Sequence, residues 1–357
     1  MKKSIKSKVS SQPDRGNLRV IGMDIGDKFS ELATLDARNG VTFERVRTRR
    51  DALCLQFSGL PASRVAIEAC THSPWISRQL SALGHEVIVA NPRRLRLIAE
   101  SRRKNDKRDA ETLARLAKAD ARLLSPIIHR SEASQFALIA IRSRDALVKC
   151  RTQLVNSVRS LAKSLGVQLP KCDSEYFANK TREALDRDLL GMFEPQLDAL
   201  DALNQSIKDQ DRRIAELCEV HVETQCLRQV PCVGPITALC FVLILDNQSR
   251  FRKSRDVGAY LGLAPAQRQS SDSNPQLRIS KEGDSMLRRL LVSCAQLILQ
   301  KRSPDTALKR FGLRLSERGG KSAKKKAAVA VARKLAVLLH RLWATGEVYE
   351  PLRGVKM

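Results

Sequence analysis

The sequence predicts an α/β domain at the N-terminus, then two long helices, and a mostly helical domain at the C-terminus. Three observations support this order. Short apolar runs alternate with helical patterns between residue 18 and about residue 90, and leucine or isoleucine recurs every seven residues further on. Apolar helical runs separated by turn signals then follow to the end. We therefore predict a basic disordered arm at 1–17 and domains at 18–130, 131–222 and 223–357.

The N-terminal domain begins with three consecutive apolar runs that are typical of strands: LRVIGMDIG, KFSELATLDA and VTFERVRT. Glycine-containing turn signals separate them. A short helix near 51–58, the strand RVAIEAC, a helix at 74–83 and the strand HEVIVANP follow. Three meandering strands followed by alternating helices and strands are typical of the RNase H-like fold, which the sequence therefore predicts here.

Four acidic residues stand at chemically informative positions in this domain. Asp24 lies in the first predicted strand and Glu68 ends the fourth, which are the strands that carry acids in an RNase H-like fold. Asp106 and Asp109 are three residues apart at the start of a predicted helix, so they share one helix face. Carboxylates gathered at one place repel each other unless cations lie between them. Mg²⁺ or Mn²⁺ is the expected occupant, and such ions can clamp both reacting oxygens of a phosphodiester.

The charge balance indicates a polyanionic partner. The chain has 64 Lys and Arg against 38 Asp and Glu, a formal net charge of +26, and only 4% aromatic residues. Contact with backbone phosphates is therefore expected to outweigh base stacking. The cations are dense at 91–118, around two of the acids, where the alternative is a solvated helix with internal ion pairs. The candidate nucleic-acid contacts in this segment are Arg93, Arg94, Arg102, Arg103, Lys104, Lys107 and Arg108.

Several features bear on the compartment. The sequence has no apolar run long enough to cross a membrane, and its basic start is not followed by the apolar stretch of a secretory signal. Nine scattered cysteines then favour reduced thiols in a cytoplasm, and association with the nucleoid is expected. Cys218, His221, Cys226 and Cys232 are spaced too irregularly to favour a zinc site, so buried thiols are the better interpretation.

The middle of the chain carries two seven-residue repeats. They are formed by Leu147, Leu154 and Leu161, and by Leu200, Ile207 and Ile214. Such repeats predict two long helices in an antiparallel or intermolecular coiled coil, or two core helices that pack within one chain. In either case this segment is expected to act as a spacer.

The C-terminal part starts with LRQVPCVGPITALCFVLILDN, which is typical of a helix-hairpin-helix with a tight turn at 232–234. Amides at such a turn can hold a phosphate, although this signal is weak by itself. A polar loop, AQRQSSDSNPQLR, separates the run FRKSRDVGAYLGLAP from ISKEGDSMLRRLL.

These residues together resemble the insertion-sequence 110/1111 family, the DEDD-type recombinases that work with an element-encoded bridge RNA. The resemblance covers essentially the full chain. KNDKRDA is similar to the family motif KTD-x-x-DA, with Asn105 in place of threonine. The segments FRKSRDVGAYLGLAP and RISKEGDSMLRRLL are similar to its second domain. The family loop reads Ser-Gly or Ser-Ser-Gly, and its serine falls at Ser270 here, with Ser271 as the alternative.

The resemblance implies a RuvC-like catalytic domain and a DNA transposase. Asp24, Glu68, Asp106 and Asp109 would bind the metal ions, and Ser270 would attack a phosphodiester and form a covalent phosphoserine link. Lys281 and Arg288 are candidate phosphate contacts, or partners of the acids beside them. The implied partners are double-stranded DNA of the element ends and target, the non-coding guide RNA, and further copies of the chain, from a dimer to a tetramer.

Three other functions remain open on the sequence. A RuvC-type Holliday-junction nuclease would use the same four acids with a water nucleophile. MDIGDKF is similar to the first phosphate-binding loop of actin-like sugar kinases, but a second such loop is missing from the sequence. A nucleic-acid-binding protein without activity is disfavoured because all four acids are present.

Overall fold

In the computed structural model, five strands near the N-terminus form one mixed sheet with the spatial order β3-β2-β1-β4-β5. β1 pairs antiparallel with β2, which pairs antiparallel with β3, whereas β1, β4 and β5 are parallel to one another. The strands are β1 (Arg19–Ile25), β2 (Phe29–Leu35), β3 (Val41–Arg47), β4 (Ser63–Glu68) and β5 (Glu86–Ala90).

The structure describes residues 19–95, 105–270, 273, 275, 277–317 and 319–353, with residue 321 described by its backbone alone. The chain divides into two compact units between His129 and Arg130. The predicted arm at 1–17 lies outside the described residues.

Helices cover both faces of the sheet in the first unit. Side chains alternate along β1, so that Ile21 and Met23 pack with α1 (Arg50–Ser58) and α2 (Ser73–Ala82). Val20, on the opposite face, packs with Leu113 and Ala117 of α3 (Asp106–Ala119). Every strand and helix predicted in this domain is present, and the α/β class is confirmed.

Two long helices begin the second unit: α4 (Glu132–Ser164) and α6 (Arg187–Val220), with the short α5 (Phe177–Ala184) between them. They pack antiparallel within one chain. Arg144 Nε donates to Asp211 Oδ1 at 2.5 Å, and Arg151 Nη1 donates to Asn204 Oδ1 at 2.9 Å. Of the arrangements left open by the sequence, the antiparallel pair within one chain is the observed one, while the supercoil of a coiled coil stays a prediction.

The repeat predicted for the first of these helices is wrong by one position. Leu161 is 48% exposed, and the buried positions nearby are Val155, Val158 and Ala162. On both α4 and α6, the positions that face the other helix, which form the seam, are alternately four and three residues apart. The seam of α4 includes Arg144 and Arg151. These arginines donate hydrogen bonds to polar side chains of α6. Because they interrupt the apolar repeat of the seam, the leucines beside it form the more regular apolar pattern in the sequence.

The rest of the second unit is mostly helical, as predicted. Its helices are α7 (Glu223–Arg228), α8 (Pro235–Leu245), α9 (Asp256–Tyr260), α10 (Ser285–Ile298), α11 (Ala307–Ser316) and α12 (Gly320–Thr345). Every residue of α8 from Thr237 to Leu245 is buried, and this helix lies in one core with α10 and α12. Ala137 and Ile141 at one end of α4, and Ile214 and Cys218 at one end of α6, belong to the same core.

The buried cysteines of this unit and His340 serve packing. Burial raises the pKa of the Cys218 and Cys294 thiols, as is typical of cysteines in an apolar core. His340 is 2% exposed, and its ring nitrogens lie 3.0 Å from Ser254 Oγ and 3.1 Å from the Gln248 carbonyl oxygen. Within the described residues, no helix combines the length and apolarity needed to cross a bilayer.

Candidate active site

Two of the four predicted acids lie side by side at the end of the parallel strand pair. Gly22 pairs with Ala66 and Met23 with Ile67, so the next positions in register are Asp24 and Glu68. Ala66 belongs to the core on the α3 face of the sheet. Because side chains alternate along a strand, Asp24 and Glu68 project to that same face.

The other two acids open the helix that covers this face. Asn105 caps α3 by accepting a hydrogen bond from the Lys107 amide at 3.1 Å. Asparagine is among the best N-cap residues, so Asn105 can cap this helix as well as a threonine at the same position would. Asp106 and Asp109 occupy the first turn, where the helix dipole favours negative charge.

The helix runs antiparallel to β1 and β4, which brings its acidic start to the carboxylate end of the strands. Near its C-terminus, the Ala117 carbonyl accepts a hydrogen bond from Arg64 Nη1 at 3.4 Å, at the beginning of β4. One and two turns earlier along the helix, Ala114 and Ala110 lie against β1 at Gly22. Continuing one more turn toward the N-terminus therefore brings Asp106 and Asp109 level with Asp24.

The backbone thus brings the four acids to one end of one sheet, with different degrees of burial. Asp109 is 8% exposed, Asp24 and Glu68 are half-buried, and Asp106 is exposed. Carboxylate oxygens are the donors that Mg²⁺ and Mn²⁺ prefer, so this set fits such a cation in its chemistry. Across the described parts of the chain, however, no three Asp, Glu, His or Cys side chains are oriented as a ready metal-binding group.

Gly22 sets the distance between α3 and the sheet. A Cβ atom at this position would lie 1.9 Å from the Ala110 carbonyl oxygen and 2.6 Å from the Ala114 amide nitrogen. Both are backbone atoms of a packed helix and cannot rotate away. The distance between the start of α3, with Asp106 and Asp109, and the strand that carries Asp24 therefore depends on a glycine here.

We expect Gly22→Ala to displace α3 and separate the two pairs of acids. Overpacking of this kind costs about 1–3 kcal/mol of stability, and a misplacement of about 1 Å at a reacting centre costs about 100-fold in rate. Thermal unfolding and DNA cleavage should both be measured. Gly59→Ala is the matched control, because a Cβ atom at Gly59 meets no atom within 4 Å. Full activity in folded Gly22→Ala would show that the helix position does not matter.

The structure also assembles a polar group that sequence spacing did not reveal. Asp27 follows β1, and its Oδ1 lies 3.2 Å from His72 Nε2 in the loop that follows β4. Trp75 Nε1 donates to His72 Nδ1 at 3.2 Å, and the Arg50 guanidinium lies 5.3 Å from the Trp75 ring centroid. Asp27 and His72 are 45 residues apart, and only the parallel pairing of β1 with β4 brings them to the same sheet edge as the acids.

The predicted cations of this unit are partly described. Arg93 and Arg94 are exposed just after β5, and Lys107 and Arg108 are exposed on the first turns of α3. Lys107 Nζ lies 5.8 Å from the ring centroid of Phe43. Arg102, Arg103 and Lys104 lie outside the described residues. Lys107 and Arg108 stand between the two acids of α3 in the sequence, and the contacts of all these cations with nucleic acid stay predictions.

Ser270 lies in the predicted polar loop of the second unit, here called the serine arm, whose described residues form two isolated antiparallel bridges, Pro265 with Ile279 and Ser270 with Ser273. The arm starts at Leu263 and returns to Lys281. The Ala266 amide donates to the Arg278 carbonyl oxygen at 2.9 Å, and Ser270 and Ser273 exchange backbone hydrogen bonds of 3.1 and 2.9 Å. Ser270 is exposed, whereas Ser271, the alternative nucleophile, lies outside the described residues.

Two glycines fix the base of this arm. Gly262 and Gly283 both have positive φ, of 67° and 76°. A Cβ atom at Gly262 would lie 2.2 Å from the Glu282 carbonyl oxygen, and one at Gly283 would lie 2.1 Å from the Tyr260 carbonyl oxygen. Only glycine satisfies both the conformation and the close approach.

The two candidate phosphate contacts near the serine differ in their surroundings. Arg288 Nη1 donates to the carbonyl oxygens of Leu261 at 3.0 Å and Glu282 at 2.8 Å, so its guanidinium ties α10 to the base of the arm. Lys281 is exposed beside it. Asp284 caps α10 by accepting from the Met286 and Leu287 amides, both at 3.0 Å.

Comparisons with known proteins match both units. A family model for DEDD transposases of the IS110 type covers residues 21–166, and a model for the IS116/IS110/IS902 transposase family covers residues 224–310. The first range contains the four acids, and the second contains Ser270.

Relatives match over most of the chain. A transposase for insertion sequence element IS1111A from Coxiella burnetii is 27% identical, over 93% of this chain and 92% of its own length. A transposase for insertion sequence element IS1328 from Yersinia enterocolitica is 29% identical, over 80% of this chain and 85% of its own length. Protein y4rJ of Sinorhizobium fredii is 32% identical, over 77% of this chain and 76% of its own length.

Proposed function

Since this chain belongs to the IS116/IS110/IS902 family of transposases, we propose that it cuts and rejoins the DNA strands of an insertion element with four carboxylates and a serine nucleophile. The observation that carries this proposal is the arrangement of Asp24 and Glu68 at the end of paired strands, with Asp106 and Asp109 on the helix that covers them. An RNase H-like fold of the RuvC type accounts for that arrangement and for the strand order of the sheet.

The four carboxylates would hold Mg²⁺ or Mn²⁺. When bound there, such ions neutralise phosphate charge and stabilise the attacking and leaving oxygens. The roles of the side chains themselves differ with burial. Asp109 is buried and would hold a metal ion in a fixed position, whereas Asp106 is exposed and would adjust its side chain as the metal ion and DNA bind.

Ser270 would carry the covalent step. Its Oγ gives up a proton, attacks a DNA phosphorus atom and forms an Oγ–P bond, while the P–O bond to one DNA end breaks and the leaving oxygen takes up a proton to become a hydroxyl. A hydroxyl of another strand then attacks the same phosphorus atom, and the serine is released. Its position suits this role, because Ser270 is exposed and its hydroxyl can approach a phosphate of the DNA backbone.

The acids and the serine belong to different units, so the complete site requires them to meet. We propose that they meet between copies of the chain in a dimer or tetramer. The element ends and target are expected to be held as double-stranded DNA, and a guide RNA encoded by the element would select the target by base pairing. The charge of +26 and the 4% aromatic content support a protein that holds phosphate backbones without reading bases.

The proposal is tested with purified full-length protein, DNA that carries the element ends, and the transcript of the adjacent non-coding DNA. We expect strand exchange in Mg²⁺ or Mn²⁺, and loss of at least about 1,000-fold in rate when EDTA removes the metal, because the charge on the phosphate is then uncompensated. Restoring Mg²⁺ should restore the reaction. Strand exchange that persists in EDTA would refute the metal role, and exchange without the transcript would refute the guide RNA.

A further inference from the structure

A large groove lies at the base of the serine arm, within the second unit. It has a volume of about 1590 Å³ and lies between the arm, α11, α12 and the segment 349–353. Small-molecule sites are usually about 300–1,000 Å³. The size of this groove therefore fits a segment of a polymer better than a metabolite.

The rim of the groove is strongly cationic. Its lining includes eight cationic side chains and one acid, Glu350. Glu347 pairs with two of the cations, Arg341 at 3.8 Å and Arg353 at 2.5 Å. In the described part of the chain, no acid lies within ion-pair distance of the other six, which are Arg278, Lys281, Lys325, Lys326, Arg333 and Lys334. An uncompensated rim of this kind selects a polyanion.

The floor of the groove is apolar. Ile279, Phe311, Val329 and Leu338 line it and are half-buried, and Lys334 Nζ lies 3.9 Å from the Phe311 ring centroid. A DNA duplex keeps its bases stacked inside and presents phosphates outward, so an apolar floor adds little to its binding. An unpaired strand exposes the flat faces of its bases. Contact of these faces with an apolar surface stabilises the complex, while cations hold the backbone.

The groove is continuous with the serine arm. Pro265 and Ile279 form a bridge across the arm, and both line the groove. The chain from Pro265 to Ser270 can span at most about 17 Å when extended. A strand that lies in the groove is therefore within a few nucleotides of the proposed nucleophile.

We propose that this groove binds an unpaired segment of nucleic acid and leads it to the arm that carries Ser270. Phosphates contact the lysines and arginines of the rim, and base faces lie on the aliphatic and aromatic floor. The proposed function requires neither an unpaired strand nor the residues of this groove. The inference rests on that function only for the origin of the strand, either opened element DNA or the guide RNA.

The test compares binding of single strands and duplexes by the full-length protein. Fluorescence anisotropy is measured with a labelled single-stranded DNA, the RNA of the same sequence, and the DNA duplex. The groove variant carries Lys325→Gln, Lys326→Gln and Lys334→Gln, which keep the length of the side chains. We expect single-strand binding to weaken by about tenfold or more, and the slope of its log affinity against log salt to become shallower by about two. The affinity for the duplex should change by less than about threefold.

A matched control removes the same charge elsewhere in the unit. Lys163→Gln, Arg187→Gln and Arg213→Gln lie at exposed positions on the two long helices. Binding of single strands should change by less than about threefold in this control. Equal weakening of single strands and duplex in the groove variant, or equal effects of the two variants, would overturn the proposal, as would a groove that takes an acidic peptide but no single strand.

Two further measurements distinguish a failure of the groove from a failure of the proposed function. A strand that carries 5-iodouracil should cross-link to Phe311 or Tyr349 on irradiation, and cross-links confined to other peptides would overturn the groove. Phe311→Leu, which keeps an apolar floor, should weaken that cross-link. Ser270→Ala should bind single strands as tightly as the original chain. If strand exchange is absent while single strands still bind in the groove, the proposed function is wrong and the groove proposal stands. Comparing the single-stranded DNA with the RNA identifies the preferred strand.

Discussion

Replacing Asp24 or Asp109 with asparagine should reduce DNA strand cleavage by at least about 1,000-fold, the scale of loss typical of a catalytic group. Asparagine keeps the shape of the side chain and removes the charge that would hold a divalent cation. Asp109 is buried in the first turn of α3 and Asp24 is half-buried in β1, so added volume there would move the helix. Asparagine has almost the same volume as aspartate and adds none. The measurement is the cleavage rate of end-labelled element DNA in Mg²⁺.

Glu111→Gln is the matched control for these variants. Glu111 lies on the same helix and pairs with Arg115 at 2.7 Å on its surface. We expect cleavage within about threefold of the original rate, since an exposed pair of this type contributes little to stability. Nucleic-acid binding and thermal unfolding should be followed for all three proteins. If Asp24→Asn and Asp109→Asn unfold or lose RNA binding together with cleavage, the acids organise the structure and do not carry the reaction.

Ser270→Ala should abolish the covalent protein–DNA adduct and reduce strand exchange by at least about 1,000-fold. The original chain is expected to form an adduct that survives denaturation, because the Oγ–P bond is covalent. Removing the hydroxyl leaves the backbone hydrogen bonds between residues 270 and 273 in place, so the arm should keep its fold. Denaturing gel electrophoresis of radiolabelled DNA measures the adduct.

The neighbouring serines provide the controls. Ser273→Ala, at the residue bridged to Ser270, should keep the adduct. If the adduct persists in Ser270→Ala and disappears in Ser271→Ala, the nucleophile is the next residue. Cleavage with no adduct in the original chain would instead support a water nucleophile, and with it a junction nuclease of the RuvC type.

The sheet and its order of elements follow from local patterns in the sequence. Alternation along β1 puts Ile21 and Met23 on one face and Val20 on the other, and the observed cores contain these residues as two separate sets. Asp106 and Asp109 sit at the start of a helix because Asn105 is a strong N-cap, which is also a local signal. These features depend on neighbours in the chain, and sequence reasoning recovers them.

Features that depend on distant partners were missed or misplaced. The seam of α4 contains Arg151, which is recognisable as a seam residue only when Asn204 of α6 is known to accept its hydrogen bond. The arm that carries Ser270 is held by Gly262 and Gly283, whose role comes from contacts with Glu282 and Tyr260. His72 and Asp27 meet only because β1 and β4 are neighbours in the sheet.

The most direct test of the carboxylate site replaces the magnesium ion with Fe²⁺ in the full-length protein bound to element DNA. Ascorbate and peroxide then generate radicals at the ion, which cut the polypeptide close to its ligands. We expect cuts beside residues 24, 68 and 106–109, suppressed by excess Mg²⁺ and absent in Asp24→Asn. Cuts at other positions, or the same pattern in Asp24→Asn, would contradict a metal site made by these four acids.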